Sequence, residues 1–122
     1  MNIVDMKRLK QIAEVEFEDI VAQVEIGLNR ARIILTDTSY IDVWYSLNIE
    51  GRYSYHWERK WIDGSIYRHN NAPHQRWMGI STFPKHFHYM SELNVIESDI
   101  SDNPETAIRE LLAFAQEKGK SK

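Results

Sequence analysis

Tyr53-Ser54-Tyr55-His56-Trp57-Glu58 decides how this chain folds. Large aromatics alternate with small or polar side chains, and a period of two marks a strand whose two faces meet different surroundings. Asp63-Gly64, a strong hairpin signal, leads from it into Ile66-Tyr67-Arg68. Upstream, Arg32-Ile33-Ile34-Leu35 and Tyr40-Ile41-Asp42-Val43-Trp44-Tyr45 are rich in β-branched and aromatic residues and flank the turn Asp37-Thr38-Ser39. Asn48 to Gly51 turns the chain again before Tyr53. Ile20, Ala22, Val24 and Ile26 alternate with Val21, Gln23 and Glu25, which argues for a strand, with a helix running on to Gly27 as the alternative. Asn94-Val95-Ile96 adds a last short strand. Turns this short cannot make the crossovers of parallel pairing, so the pattern predicts an antiparallel meander of about five to six strands.

Helices are expected at both ends. Val4, Leu9, Ile12, Ala13 and Val15 loosely follow a helical period. Asn103-Pro104-Glu105 supplies a cap, a proline at the first helical position and an acid in the first turn. Ile108, Leu111, Leu112 and Ala115 then recur at helical spacing; Gly119 is expected to end the helix and Lys118–Lys122 to fray. His69 to Met90, broken by Pro73, Gly79 and Pro84, reads as a long irregular connection. Such loops are usually functional or disordered, and Trp77, Phe83 and Phe87 speak against disorder. The expected architecture is α+β in one domain, residues 1–122.

Composition narrows the functional classes. With 43% hydrophobic and 27% charged residues the chain is ordinary for a globular protein. No apolar run approaches the roughly 20 residues of a membrane span, so no membrane partner is expected. Met1 to Lys7 lack the basic start and apolar stretch of a secretory signal, which fits a cytoplasmic protein. There are no cysteines, which excludes disulfides, thiolate zinc sites and cysteine nucleophiles. A net charge of −3 argues against indiscriminate coating of nucleic acid; such contact must use a local basic patch.

That patch is visible. All five histidines lie between His56 and His88, among Arg52, Arg59, Lys60, Arg68, Arg76 and Lys85, against only Glu58 and Asp63. The stretch from Gly51 to His88 is +4 and the rest of the chain −7. Histidine titrates near neutral pH, and histidines crowded among cations suit an anionic ligand such as phosphate. If the aromatic face of the central strand is buried, His56 stands out on the other; taken alone it reads as a solvent-facing strand residue. Asn70-Asn71-Ala72-Pro73-His74 is a turn that fixes His74 at the mouth of the loop. In Phe83-Pro84-Lys85-His86-Phe87-His88 an extended backbone puts His86 and His88 on one side, Lys85 and Phe87 on the other.

Between Gly64 and Ser91 there is no Asp or Glu, which disfavours a magnesium or calcium centre. A zinc site from His74, His86 and His88 or His56 stays open, although the surrounding cations would repel a dication. The chemistry that needs no cofactor is RNA cleavage through the substrate's own 2′-hydroxyl. A histidine pair moves the protons and fixed cations stabilise the charged phosphorane. His56, His74, His86 and His88 are the catalytic candidates. Arg52, Arg68, Lys85 and Asn71 are candidates for holding substrate, with Tyr55 and Tyr67 as rings for stacking unpaired bases. The rivals are a non-catalytic module that binds RNA or a protein, and a histidine-ligated zinc protein.

Three ordered motifs, Tyr53-Ser54-Tyr55-His56-Trp57, Tyr67-Arg68-His69-Asn70-Asn71-Ala72-Pro73-His74 and Thr82-Phe83-Pro84-Lys85-His86-Phe87-His88, resemble the TumE-type toxins of prokaryotic toxin–antitoxin pairs. The resemblance spans roughly 33–98. Family members often show Asp-Asn-Ala-Pro-His-His and Phe-Pro-His-His-x-His. Here Asn70 replaces the acid, Gln75 the second histidine and Lys85 the first of the later histidines, while His74, His86 and His88 remain. The resemblance implies a toxin acting on RNA and neutralised by a small antitoxin protein; the state of assembly, a homodimer included, is left open.

Overall fold

The computed structural model describes residues 3–120. Seven antiparallel strands form one sheet in chain order: β1 (Val21–Ile26), β2 (Arg30–Leu35), β3 (Tyr40–Tyr45), β4 (Tyr53–Arg59), β5 (Ser65–Asn70), β6 (His86–Met90) and β7 (Val95–Glu97). Two long helices, α1 (Met6–Glu16) and α3 (Pro104–Lys120), pack on each other and on one face of the sheet; a single helical turn, α2 (Lys60–Asp63), links β4 to β5. The meander is therefore the expected one with a strand more. β6 lies inside the stretch expected to be irregular, which shrinks to residues 71–85. Both sides of β6 are buried at His86, Phe87 and His88, so it lacks the polar outer face that usually betrays a strand.

The sheet's alternation sorts its residues. Tyr53, Tyr55 and Trp57 of β4 point to the helices and are fully buried, joined by Ile33, Ile41 and Val43 and by Ile108 and Leu112 of α3. Trp57 keeps its indole satisfied by donating to Ser39 Oγ at 2.9 Å. Asp5 caps α1 by accepting from the Arg8 amide at 3.2 Å, and Asn103 caps α3 by accepting from the Thr106 amide at 3.0 Å. Gly64, at φ 77°, ends α2 in the left-handed conformation that glycine adopts without steric cost.

Gly119 does not stop α3, which continues to Lys120. Of the tail expected to fray, residues 121–122 lie outside the described residues, while the Lys118 ammonium donates to the Tyr89 hydroxyl at 2.5 Å and lies 4.8 Å from that ring's centroid. Among the described residues no helix is long and apolar enough to cross a membrane. The face of the sheet opposite the helices carries the polar and cationic half of each strand, and there four of the five histidines gather.

Candidate functional site

Strand register builds the site. On the face away from the helices, Asp42, His56, Arg68 and His88 oppose one another in successive strand pairs, and in the next row Ser54, Asn70 and His86 do the same. His86 and His88 follow each other at two-residue spacing on β6, with ring centroids 5.2 Å apart. The segment after β5 folds back over them. His74, exposed at its start, meets His86 edge-on at 6.0 Å, and Trp77 lies 6.1 Å from both His86 and His88. That cover leaves His86 only 1% and His88 only 7% exposed.

Hydrogen bonds fix how these rings hold their protons. His86 Nδ1 lies 3.1 Å from the Pro84 carbonyl and His88 Nδ1 3.0 Å from the Glu92 carbonyl. A carbonyl only accepts, so each Nδ1 carries the proton and donates, and each neutral ring keeps its lone pair on Nε2. Burial pushes both pKa values below that of an ordinary histidine, against the pull of those carbonyls; neighbouring histidines and Arg68 push the same way as burial. Two neutral imidazoles, one donor end spent and one basic end unspent, sit side by side.

Arg68 ties the site together. Its Nε donates to His56 Nδ1 at 3.0 Å, and its two terminal nitrogens grip the Glu92 carboxylate at 2.9 and 2.5 Å. His56 Nε2 in turn faces Glu58 at 3.1 Å. Burial opposes ionisation of Glu92, but Arg68, with His88 and His56 beyond it, holds the carboxyl below its ordinary pKa. Sequence reasoning missed Glu92. It lies just past the acid-free window, and only the β6–β7 turn returns it to Arg68, so with β6 unread no signal in the sequence marked it.

Several expected members of the site lie elsewhere. Tyr55 and Tyr67 are 0% and 4% exposed in the helix-covered core, so no base can stack on them. Lys85 points to the helix side, where its ammonium donates to the Ile100 carbonyl and lies 3.4 Å from Asp102. Asn71 spends its amide on backbone, accepting from the Tyr53 amide at 2.8 Å and donating to the Gly51 carbonyl at 2.7 Å. Arg52 sits in the β3–β4 turn, about 13 Å along the strand from His56 at roughly 3.3 Å per residue. Arg68, not Arg52, is the arginine beside the histidines. The fifth histidine, His69, faces the helices: it stacks on Phe87 at 3.9 Å, bonds Ser98 Oγ at 2.7 Å, and burial pushes its pKa down to about 3.

Among the described residues no three His, Asp or Glu side chains converge in a way that could hold a metal ion. No curated protein and no solved structure is significantly similar to the chain. A family model described as toxin TumE does match, over residues 5–118, which takes in α1 and nearly all of α3 as well as the three motifs. The chain belongs to the TumE family of toxins.

Proposed function

We propose that this toxin is a metal-independent endoribonuclease whose reaction takes place on the face of β5 and β6 turned away from the helices. Membership of a toxin family supports a cognate antitoxin as partner; RNA as the target rests on the site's chemistry. The observation that carries the reading is the anchoring of His86 and His88 through Nδ1 to the Pro84 and Glu92 carbonyls, which leaves Nε2 of each as a base. One of the two takes the proton of a substrate 2′-hydroxyl. The freed oxygen attacks the adjacent phosphorus, the bond from phosphorus to O5′ breaks, and His74 delivers a proton to the departing O5′. Arg68 stabilises the charge that builds on the phosphoryl oxygens. His56 holds Arg68 and is a positioning residue, because both of its ring nitrogens are engaged. Trp77 covers the two bases, so substrate enters as that ring moves aside.

The test is incubation of the purified protein with single-stranded RNA in the presence of a chelator. The parent cleaves, and His86→Ala or His88→Ala, shown to be folded by circular dichroism, slows cleavage roughly 100-fold or more. Equal cleavage by the parent and both variants removes these residues from the chemistry. If cleavage stops with the chelator and returns with zinc, a metal-dependent reading replaces this one.

A further inference from the structure

Trp44 occupies the uncovered face of β3, in the same cross-strand row as His86: Arg30 opposes Trp44, Trp44 opposes Ser54, Ser54 opposes Asn70, and Asn70 opposes His86. With strands about 4.8 Å apart, three steps separate Trp44 from His86 by about 14 Å. Beside Trp44 a groove of about 470 Å³ runs over β1, β2 and β3, and Arg30, Arg32 and Asp42 help to line it. Arg32 is committed, bound twice to Asp42 at 2.8 and 2.9 Å. Arg30 is exposed and among the described residues has no ion-pair partner.

The indole is equally uncommitted. Trp57 donates to Ser39 and Trp61 to Thr38, whereas among the described residues the Trp44 N–H has no acceptor and no other ring stacks on it. A half-buried tryptophan on a polar sheet face, with small Ser54 on one side and a flexible arginine on the other, offers its π-face to a ligand. An unpaired base stacks on such a ring whatever its identity, and a neighbouring arginine takes the phosphate. In this row only Ser54 and Asn70, short side chains, lie between Trp44 and His86, so a strand on Trp44 runs over them to the segment that covers the histidines.

We infer that Trp44 and Arg30 form a subsite for a flanking nucleotide of single-stranded RNA, continuous with the histidine site. The inference rests on the ribonuclease reading for its choice of ligand. Its consequence is that a strand of a few nucleotides binds through both places, while a dinucleotide, with one phosphodiester, reaches only the histidines.

Equilibrium binding of a fluorescently labelled single-stranded oligoribonucleotide, long enough to span both places, tests this with the parent, Trp44→Ala, Trp44→Phe and Arg30→Gln. Stacking of the size seen for base and aromatic pairs predicts roughly 5- to 100-fold weaker binding for Trp44→Ala and little loss for Trp44→Phe. Arg30→Gln weakens binding and flattens its salt dependence by about one phosphate contact. Cleavage of a dinucleotide is unchanged in all three. Arg30 is exposed, so its variant remains informative if Trp44→Ala fails to fold. Binding equal to the parent's in Trp44→Ala and Arg30→Gln, or no binding of RNA by the parent, overturns the subsite. Cleavage in the same samples judges the other reading separately. A parent that binds through Trp44 but never cuts keeps the subsite and loses the catalysis; a parent that cuts regardless of Trp44 and Arg30 does the reverse.

Discussion

Arg68 Nε donates to His56 Nδ1 at 3.0 Å, and that bond decides what His56 can do. A guanidinium only donates, so Nδ1 must accept and the proton of the neutral ring sits on Nε2, where Glu58 receives it at 3.1 Å. Neither nitrogen is left for a substrate. His56→Ala should therefore act through Arg68: KM for RNA rises several-fold while kcat falls less than the roughly 100-fold expected of His86→Ala. Steady-state kinetics of the two variants, side by side, check this. An equal kcat loss with unchanged KM would return His56 to the catalytic set.

Glu92 competes with substrate for Arg68. Its carboxylate occupies the two-pronged guanidinium face that a phosphate prefers. Glu92→Gln keeps the shape, removes the charge and leaves Arg68 to the ligand, so RNA should bind roughly ten-fold more tightly at low salt. The Glu92 carbonyl that anchors His88 is backbone and survives the change. Filter binding settles it: unchanged or weaker affinity means that Glu92 is needed to position Arg68.

His69 makes stability depend on pH. Its folded pKa of about 3 lies below the ordinary 6.5, so between those values the unfolded chain binds a proton that the folded chain refuses. Stability therefore falls as pH drops through 6.5 toward 3, with a slope for this one group approaching about 1.4 kcal/mol per pH unit. His86 and His88, also lowered, add to the same trend. Thermal melts across this range should show a shallower fall for His69→Gln than for the parent. Parallel curves would mean that His69 is protonated in the fold.

Arg59 is buried and paired with Asp37 at 2.8 Å and Asp63 at 3.2 Å, joining the β2–β3 turn to the β4–α2 junction. Asp37 also accepts from the Ser39 amide and hydroxyl. Asp37→Ala leaves the buried cation with Asp63 alone and should cost about 2–3 kcal/mol, whereas Arg59→Met, which removes the charge and keeps the bulk, should cost less. Urea denaturation gives both numbers. The opposite order would show that Asp63 alone suffices for Arg59.

The strands were legible where one face is buried and the other is not. Tyr53 to Glu58 states its two faces plainly, and the capping residues of α3 announce its start. β6 was hidden because the 71–85 segment covers His86 and His88, which erases the contrast that a period-two reading relies on. The clustering of His74, His86 and His88 followed from their spacing and their company of cations. The misplacement of Tyr55, Tyr67 and Lys85 came from treating every aromatic and cation near the histidines as available to substrate. Strand alternation alone puts Tyr55 with Tyr53 and Trp57 in the core, and Lys85 opposite His86. Glu92 needed the β6–β7 register, which is a tertiary fact.

The most direct measurement of the central claim is the chemistry of the RNA ends. Cleavage by a histidine pair through the 2′-hydroxyl leaves a 2′,3′-cyclic phosphate on one product and a 5′-hydroxyl on the other, with the chelator present throughout. We expect those ends from the parent and their disappearance in His88→Ala. Products bearing a 5′-phosphate and a 3′-hydroxyl, or RNA left intact by a folded parent that arrests growth when expressed, would contradict the account.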